Sequence, residues 1–488
     1  MESCFTTAAA RPARPPMTPE EFRSHAHGLV DWMADYMRDV GTHRVLPEVA
    51  PGDVRKRVPA SPPESPEPFD EVMRDFATLV LPGITHWNHP GWFGYFPANN
   101  SPPSILAEML TSTIGAQCMS WQTSPAATEL EQATMEWLRQ MLGLPETFTG
   151  VIQDTSSTAT LVALLTARER ASDGDTGTRG MAAMAVPLAV YASTEAHSSV
   201  PKGVKLAGYG LDNLRHIPAD NDFAMRPDEL AAAIALDLAA GIRPACVVAT
   251  IGSTSSTAVD PLRRIGEICR RHDIWLHVDA SYAGAAAILP ERRAMLDGIE
   301  LADSFVFNPH KWLLTNFDCS AYFVRDVPAL LATFRVTPEF LRTARDADVV
   351  NFRDWGIQLG RRFRALKLWF VIRTYGVAGL QAILRQHIAL AAEFRGWVEA
   401  DHEFEVMAPS PFGLVCFRHR PIGATDGERL DQLNRELLAR VNARGPVFLT
   451  HTTLAGRFAI RMAIGQWQTT REDVVRAWGI VRDEARVS

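Results

Sequence analysis

The chain has 488 residues, is 47% hydrophobic and 22% charged, and carries a formal net charge of −7. That length supports two or three structural units around a large core, and the composition is ordinary for a soluble globular enzyme. The absence of any polybasic run makes nucleic acid and anionic membrane unexpected partners; residues 1–16 hold no apolar core of signal-peptide length, and no apolar run approaches membrane-spanning length. The six cysteines (Cys4, Cys118, Cys246, Cys269, Cys319, Cys416) are scattered without a Cys-x-x-Cys, which suits a reducing cytoplasm and excludes a disulfide frame or zinc site.

Residues 1–16 are rich in Ala, Pro and Arg and are expected to be disordered. Thr18-Pro19-Glu20-Glu21 opens a helix: Thr18 can cap it, Pro19 fits its first turn and Glu21 can close a capping box. Phe22, Leu29, Val30, Met33 and Met37 give it an apolar face, to be packed on its own chain or on a second subunit. Residues 59–68 form a proline-rich connector, and 69–81 reads as a helix. The run Thr85-His86-Trp87-Asn88-His89-Pro90-Gly91-Trp92-Phe93-Gly94-Tyr95-Phe96-Pro97 is too rich in aromatics, Gly and Pro for a regular element, and suits the wall of a pocket for a flat ligand. His86 and His89 lie close enough for a metal, but no carboxylate or cysteine cluster joins them, and none is expected.

Residues 129–142 read as a helix. From Gly150 a short strand, the hydroxyl-rich turn Thr155-Ser156-Ser157-Thr158 and a helix to about residue 171 follow. Such a turn is either a simple Ser/Thr cap or an anion site at a helix start. Polar residues 172–180 look like a surface loop. Beyond Val186 strands (186–192, 214–217, 245–251, 274–280, 303–307) alternate with helices (197–207, 226–240, 261–272), the pattern of a mainly parallel α/β sheet. One more strand is expected at 321–325. After about 367 the pattern loosens to helices with two β stretches, 413–417 and 458–462. The expected organisation is an N-terminal helical segment (1–101), a large α/β domain (102–366) and a small C-terminal α+β domain (367–488).

Two strand ends carry the chemistry. Ser304 to Phe307 is short, apolar and stopped by Asn308-Pro309, leaving His310-Lys311-Trp312 just beyond it. Upstream, Trp275 to Val278 ends in Asp279 and a small-residue turn. The interval from Asp279 to Lys311 suits one strand–helix–strand crossover, so both groups reach one sheet edge, where α/β folds bind ligands. A lysine amine partly desolvated by aromatics is a nucleophile toward carbonyls. A lysine opposed by a carboxylate matches pyridoxal 5'-phosphate (PLP): the amine forms the Schiff base and the carboxylate keeps the pyridine nitrogen protonated. A structural ion pair is the alternative, but a buried pair is a poor stability device.

With these pieces in place the sequence resembles the group II PLP-dependent decarboxylases, and among them the aromatic L-amino-acid decarboxylase and aromatic aldehyde synthase branch. The likeness rests on Thr85-His86-Trp87, Tyr95-Phe96-Pro97, Ser120-Trp121, Ala196-His197-Ser198-Ser199, His277-Val278-Asp279-Ala280, Asn308-Pro309-His310-Lys311-Trp312 and Leu359-Gly360-Arg361-Arg362-Phe363-Arg364. It implies PLP fold type I and a homodimer with active sites at the subunit interface, the N-terminal segment packing in the dimer. It implies that Lys311 holds PLP, Asp279 pairs with the pyridine nitrogen, and His197 stacks on the ring and relays protons. Ser156, Ser157, Asn308 and His310 line up with the phosphate site and Thr254 with a residue near the cofactor. Trp87, Tyr95, Phe96 and Pro97 would line the substrate pocket, with Met119 coming from the partner subunit. The residues alone would have put His197 on a surface helix.

The chain departs from the amine-forming pattern in one place. The family's mobile loop carries a tyrosine that protonates Cα after CO2 leaves, and here the position holds Phe340. A phenyl ring has no proton to give, so O2 can intervene. The same change marks plant aldehyde synthases, which release an arylacetaldehyde, ammonia and H2O2. Protonation by water or His197, giving a plain amine, is the alternative. Gly360 bears weakly on the choice among Phe, Tyr, Trp and Dopa: plant relatives with glycine there tend to take indolic substrates. An aminotransferase shares the Lys/Asp/phosphate logic, but the motifs argue against it.

Overall fold

The computed structural model describes residues 17–424 and 427–487, so the reading of residues 1–16 lies outside the described residues. The chain divides into two compact units, with the boundary in the sequence between His86 and Trp87.

In the first unit, the helix Pro19–Asp39 opens with the expected reciprocal cap. The Glu21 N–H donates to Thr18 Oγ1 at 3.1 Å, and the Thr18 N–H donates to the Glu21 carboxylate at 2.8 Å. No residue of this helix is buried. The helix expected over 69–81 is regular only over Phe69–Asp75, then widens into a π turn, Phe76–Val80, and a 3-10 turn, Leu81–Gly83. Pro82 has no N–H for the Thr78 carbonyl and its ring crowds that group. The carbonyl accepts from the Arg57 guanidinium instead, at 2.7 Å.

The second unit is built on a seven-stranded sheet: β1 (Thr149–Gln153), β2 (Leu188–Ser193), β3 (Leu214–Ile217), β4 (Arg243–Thr250), β5 (Trp275–Asp279), β6 (Ser304–Phe307) and β7 (Ser320–Val324). Their order is β1-β7-β6-β5-β4-β2-β3. β3, β2, β4, β5 and β6 run parallel, and β7 is antiparallel to both β6 and β1. The apolar strands follow from burial on both faces. Along β4, Val247 and Ala249 enter one core, while Cys246 and Val248 enter another. The β5–β6 connection is not the expected helical crossover. It runs through 3-10 turns at Ala283–Ile288, Pro290–Leu296 and Ile299–Leu301. Pro290 and Gly298 (φ +95°) interrupt any longer helix.

A second, antiparallel sheet follows: β8 (Phe404–Val406), β9 (Leu414–His419), β10 (Thr450–Leu454) and β11 (Arg457–Ala463), in the order β10-β11-β9-β8. Helices Gly427–Arg444 and Arg471–Ala485 share its core with the long helix Arg364–Ala400, which is broken at Gly376. β8 and β10 were not anticipated, since three residues of β8 and the Thr-rich β10 carry little apolar pattern. Among the described residues no helix is long and apolar enough to cross a membrane.

Candidate active site

β5 and β6 are parallel neighbours with Asp279 opposite Val306, so the end of β5 and the residues after β6 share one edge. Pro309 takes the first position of a four-residue helix, Pro309–Trp312, where its missing N–H costs nothing. This turn swings Lys311 back over the edge, and its Nζ lies 5.6 Å from the centroid of the Phe96 ring. Burial lowers the Lys311 pKa below its ordinary value; Asp279 opposes the shift and the Arg461 cation adds to it. The amine therefore loses its proton more readily than a free lysine.

Asp279 is 5% exposed and lines the same cavity. Its Oδ1 accepts the Ser281 N–H at 3.0 Å and the Ser281 hydroxyl. His197 follows β2, and its Nδ1 accepts the Ser199 N–H at 3.1 Å. The ring proton is thereby assigned to Nε2. Burial lowers the His197 pKa, against the pull of Asp279 and with help from Lys311 and Lys202.

The hydroxyl-rich turn is the start of the helix Ser156–Ala171, capped by Thr155, whose Oγ1 accepts the Thr158 N–H at 3.3 Å. Asn308 joins it to the Lys311 edge: its Oδ1 accepts the Ser156 hydroxyl at 2.6 Å and the Ser320 hydroxyl as well. His310 Nδ1 accepts the Cys319 N–H at 2.8 Å, and burial pushes its pKa down to about 3, so the ring is neutral.

These groups line a cavity of about 160 Å³ together with Phe96, Ser157 and Thr254. It shares Phe96, His197, Thr254, His310 and Lys311 with a wider one of about 490 Å³, walled also by Trp87, Tyr95 and Pro97. Trp87 and Tyr95 stack at 5.6 Å and 10°. Pattern reading missed Arg461 here. It is 3% exposed on β11, and its guanidinium donates to Thr450 Oγ1 (3.0 Å), the Thr254 carbonyl (2.8 Å) and the Tyr95 carbonyl (3.2 Å). Its buried Nε has no partner. The only signal was a charge inside the apolar run Phe458–Met462, which reads more readily as an exposed side chain.

Three expected site residues are not brought to this cavity. Phe340 lies in the 3-10 turn Glu339–Leu341 and is 81% exposed. Met119 and Gly360 lie on two segments tied to each other: Cys118 N–H donates to the Arg361 carbonyl (2.9 Å), and Arg361 N–H to Gln117 Oε1 (2.7 Å). None of the three lines either cavity around Lys311.

An amine of lowered pKa, a carboxylate, a neutral imidazole and a helix start dressed with hydroxyls, all on one cavity, fit an aromatic aldehyde bearing a basic ring nitrogen and a phosphate. Fold and donor set together define a PLP-dependent enzyme of fold type I.

Comparison with known proteins gives the family. The pyridoxal-dependent decarboxylase conserved domain matches residues 51–420. The chain is 44% identical to phenylacetaldehyde synthase of Arabidopsis thaliana over 96% of its own length and 97% of the relative's. It is equally, 44%, identical to aromatic-L-amino-acid decarboxylase of Sus scrofa, covering 96% of each chain. The crystal structure of Oryza sativa TDC with PLP and tryptamine superposes with a TM-score of 0.94 at 40% identity, over 97% of this chain and 99% of that one. The chain belongs to the group II pyridoxal-dependent decarboxylases, and its cofactor is PLP.

Proposed function

We propose that this enzyme removes the α-carboxylate of aromatic L-amino acids and passes the product to oxygen. The overall reaction is amino acid + O2 + H2O giving arylacetaldehyde + CO2 + NH3 + H2O2. The observation that carries the oxidative branch is Phe340: at the loop position of the family's proton donor stands a side chain with nothing to donate.

Lys311 Nζ is the amine that holds the cofactor, helped by burial, which lowers its pKa and eases loss of its proton. Bound PLP supplies an electron sink for the pair released when CO2 leaves Cα. Asp279, with one oxygen fixed by Ser281, keeps a proton on the pyridine nitrogen. Ser156, Ser157, Asn308 and His310 take the phosphate. His197 presents a neutral ring with its proton on Nε2 toward the cavity. The stacked Trp87 and Tyr95, with Phe96 and Pro97, take the substrate's aromatic ring. Thr254 is held beside the cofactor through the Arg461 bond to its carbonyl.

Met119, Gly360 and Phe340 act on the Lys311 cavity of a second copy, in a homodimer. The absence of any buried residue on the helix Pro19–Asp39 supports an N-terminal segment packed on that copy. The five described cysteines are free thiols, which supports a cytoplasmic location.

A second reading has its own support: His197 lines the Lys311 cavity, where it can relay a proton from water, and the pig relative is a decarboxylase by name. It ends in the arylalkylamine. Product analysis separates the two. PLP-loaded protein is incubated in air with Phe, Tyr, Trp or Dopa, and aldehyde, amine and H2O2 are quantified. Aldehyde with equimolar H2O2 is expected, and Phe340→Tyr should raise the amine-to-aldehyde ratio on the order of 10²-fold by restoring a general acid. Amine without peroxide from the wild-type protein overturns the oxidative reading.

A further inference from the structure

A helix of four residues cannot hold itself in place, because helix nucleation is unfavourable. The orientation of Pro309–Trp312, and of Lys311 within it, must come from tertiary bonds. Beside the His310 bonds to Cys319, one is on the main chain: Asn99 Nδ2 donates to the Lys311 carbonyl at 2.7 Å and to the Gly465 carbonyl at 3.0 Å. Another is on the next side chain. Trp312 is fully buried and donates its indole N–H to His387 Nδ1, on the helix Arg364–Ala400, at 3.0 Å.

An indole nitrogen only donates, so Nδ1 of His387 is an acceptor and the ring proton sits on Nε2. Nε2 lies 3.1 Å from the Gln466 carbonyl, the one acceptor it needs. Burial pushes the His387 pKa down to about 4, so the ring is neutral near pH 7. From Trp312 a column of rings runs to the cavity. Trp312 stacks on Tyr282 at 4.7 Å and 16°, and Tyr282 on Phe96 at 3.9 Å and 16°. Phe96 is the ring beneath both Lys311 and Arg461. The packing is close: a Cβ on Gly413 would come within 2.7 Å of the Tyr282 hydroxyl.

We propose that His387 is a positioning residue for Lys311: by accepting the Trp312 indole N–H through Nδ1 it fixes the short helix that carries the amine and the ring column beneath it. The proposal rests on Lys311 as the amine that holds PLP.

Side-chain isosteres test it. In His387→Asn, Oδ1 takes the place of Nδ1 and still accepts from the indole. In His387→Gln, Nε2 takes the place of the imidazole Nε2, keeps the bond to Gln466 and leaves the buried indole N–H without an acceptor. Each apo-protein is titrated with PLP, and the visible band of the lysine-linked cofactor is followed against pH. His387→Gln should weaken PLP binding about tenfold, the cost of one buried unpaired donor, and move the midpoint of the band. His387→Asn should stay within about twofold of wild type on both readouts. Asn and Gln variants that behave alike, whether both intact or both impaired, overturn the proposal. If His387→Gln does not fold, Trp312→Phe removes the N–H and keeps a stacked ring; it should show the same loss, and unchanged PLP binding and band midpoint in it overturn the proposal. The underlying reading fails separately: borohydride reduction of the wild-type holoenzyme should leave the pyridoxyl group on the Lys311 peptide, and its absence there would remove Lys311 from its role.

Discussion

Around Lys311 the rings of Phe96, Tyr282 and Trp312 are buried and most polar groups are paired: Asp279 with Ser281, Asn308 with two serines, His310 with Cys319, and the Lys311 carbonyl with Asn99. The loop from Arg335 to Val350 is the reverse. None of its residues is buried, and Val336 and Phe340 are 80% and 81% exposed. It is tethered near its far end by one carboxylate, Asp346, which accepts from Thr343, Asn351 and Arg353. The contrast separates two tasks. Cleaving a bond to Cα needs groups held still around a cofactor, where electrostatic preorganisation counts most. What happens to Cα afterwards, protonation or oxidation, depends on what a movable segment brings to it. On the function proposed above, that segment would bring the phenyl ring of Phe340.

The largest effect should come from the rigid side. Lys311→Ala removes the amine and should cut decarboxylation on the order of 10³-fold or more, as loss of a covalent nucleophile does. The visible band of the bound cofactor should vanish with it, while the far-ultraviolet circular dichroism stays unchanged. A variant that keeps the band would show that another lysine carries PLP.

Acid should act on the rigid side as well. Three imidazoles there are buried and neutral: burial pushes His277 to about 4, His310 to about 3 and His387 to about 4. In the unfolded chain each titrates near 6.5. Between those values the unfolded state binds more protons, so stability is full above pH 6.5 and falls as the pH drops toward 4. The loss is up to about 1.4 kcal/mol per histidine per pH unit. Asp260 works the other way, since burial raises it to about 6 and the folded state takes its proton first. Three groups outweigh one. The thermal midpoint of the apo-protein should be level above pH 7 and fall steadily from 6.5 to 4; a midpoint that holds level down to pH 4.5 would mean the imidazoles are not neutral in the fold.

How much of this could be read from the sequence follows the same division. The Lys311 edge was legible because its signals are local: Asn308-Pro309 stops a strand, Asp279 ends another, and hydroxyls cluster where a helix starts. The mainly parallel sheet was legible because strands buried on both faces are written as apolar runs. His197 was not, because a polar residue before a helix looks the same whether it faces solvent or a cavity; only resemblance singled it out. Arg461 and His387 were not, because their partners, Thr254 and Trp312, lie 207 and 75 positions away in the chain. The 3-10 crossover was missed since an Ala-rich stretch has helical propensity, which Pro290 and Gly298 override. Resemblance also supplied Phe340, whose surroundings in the fold give no sign of a site.

The open side should yield a smaller effect, and a kinetic one. Asp346 is held ionised chiefly by the Thr343 hydroxyl at 2.5 Å, and its other bonds reach the Thr343 N–H (3.1 Å), Asn351 (3.0 Å) and Arg353 (3.4 Å). Asp346→Asn keeps the shape and removes the charge, so each of these bonds weakens by a fraction of the 0.5–1.5 kcal/mol a hydrogen bond contributes, together about 1 kcal/mol. The loop should then open about fivefold more often, seen as a matching rise in the rate of limited proteolysis between 335 and 350 at fixed pH. PLP affinity and the visible band should not change, because no Asp346 contact reaches the Lys311 cavity. Should the variant lose PLP while its loop is cleaved no faster, the two regions are not independent, and Asp346 supports the cofactor edge rather than the loop.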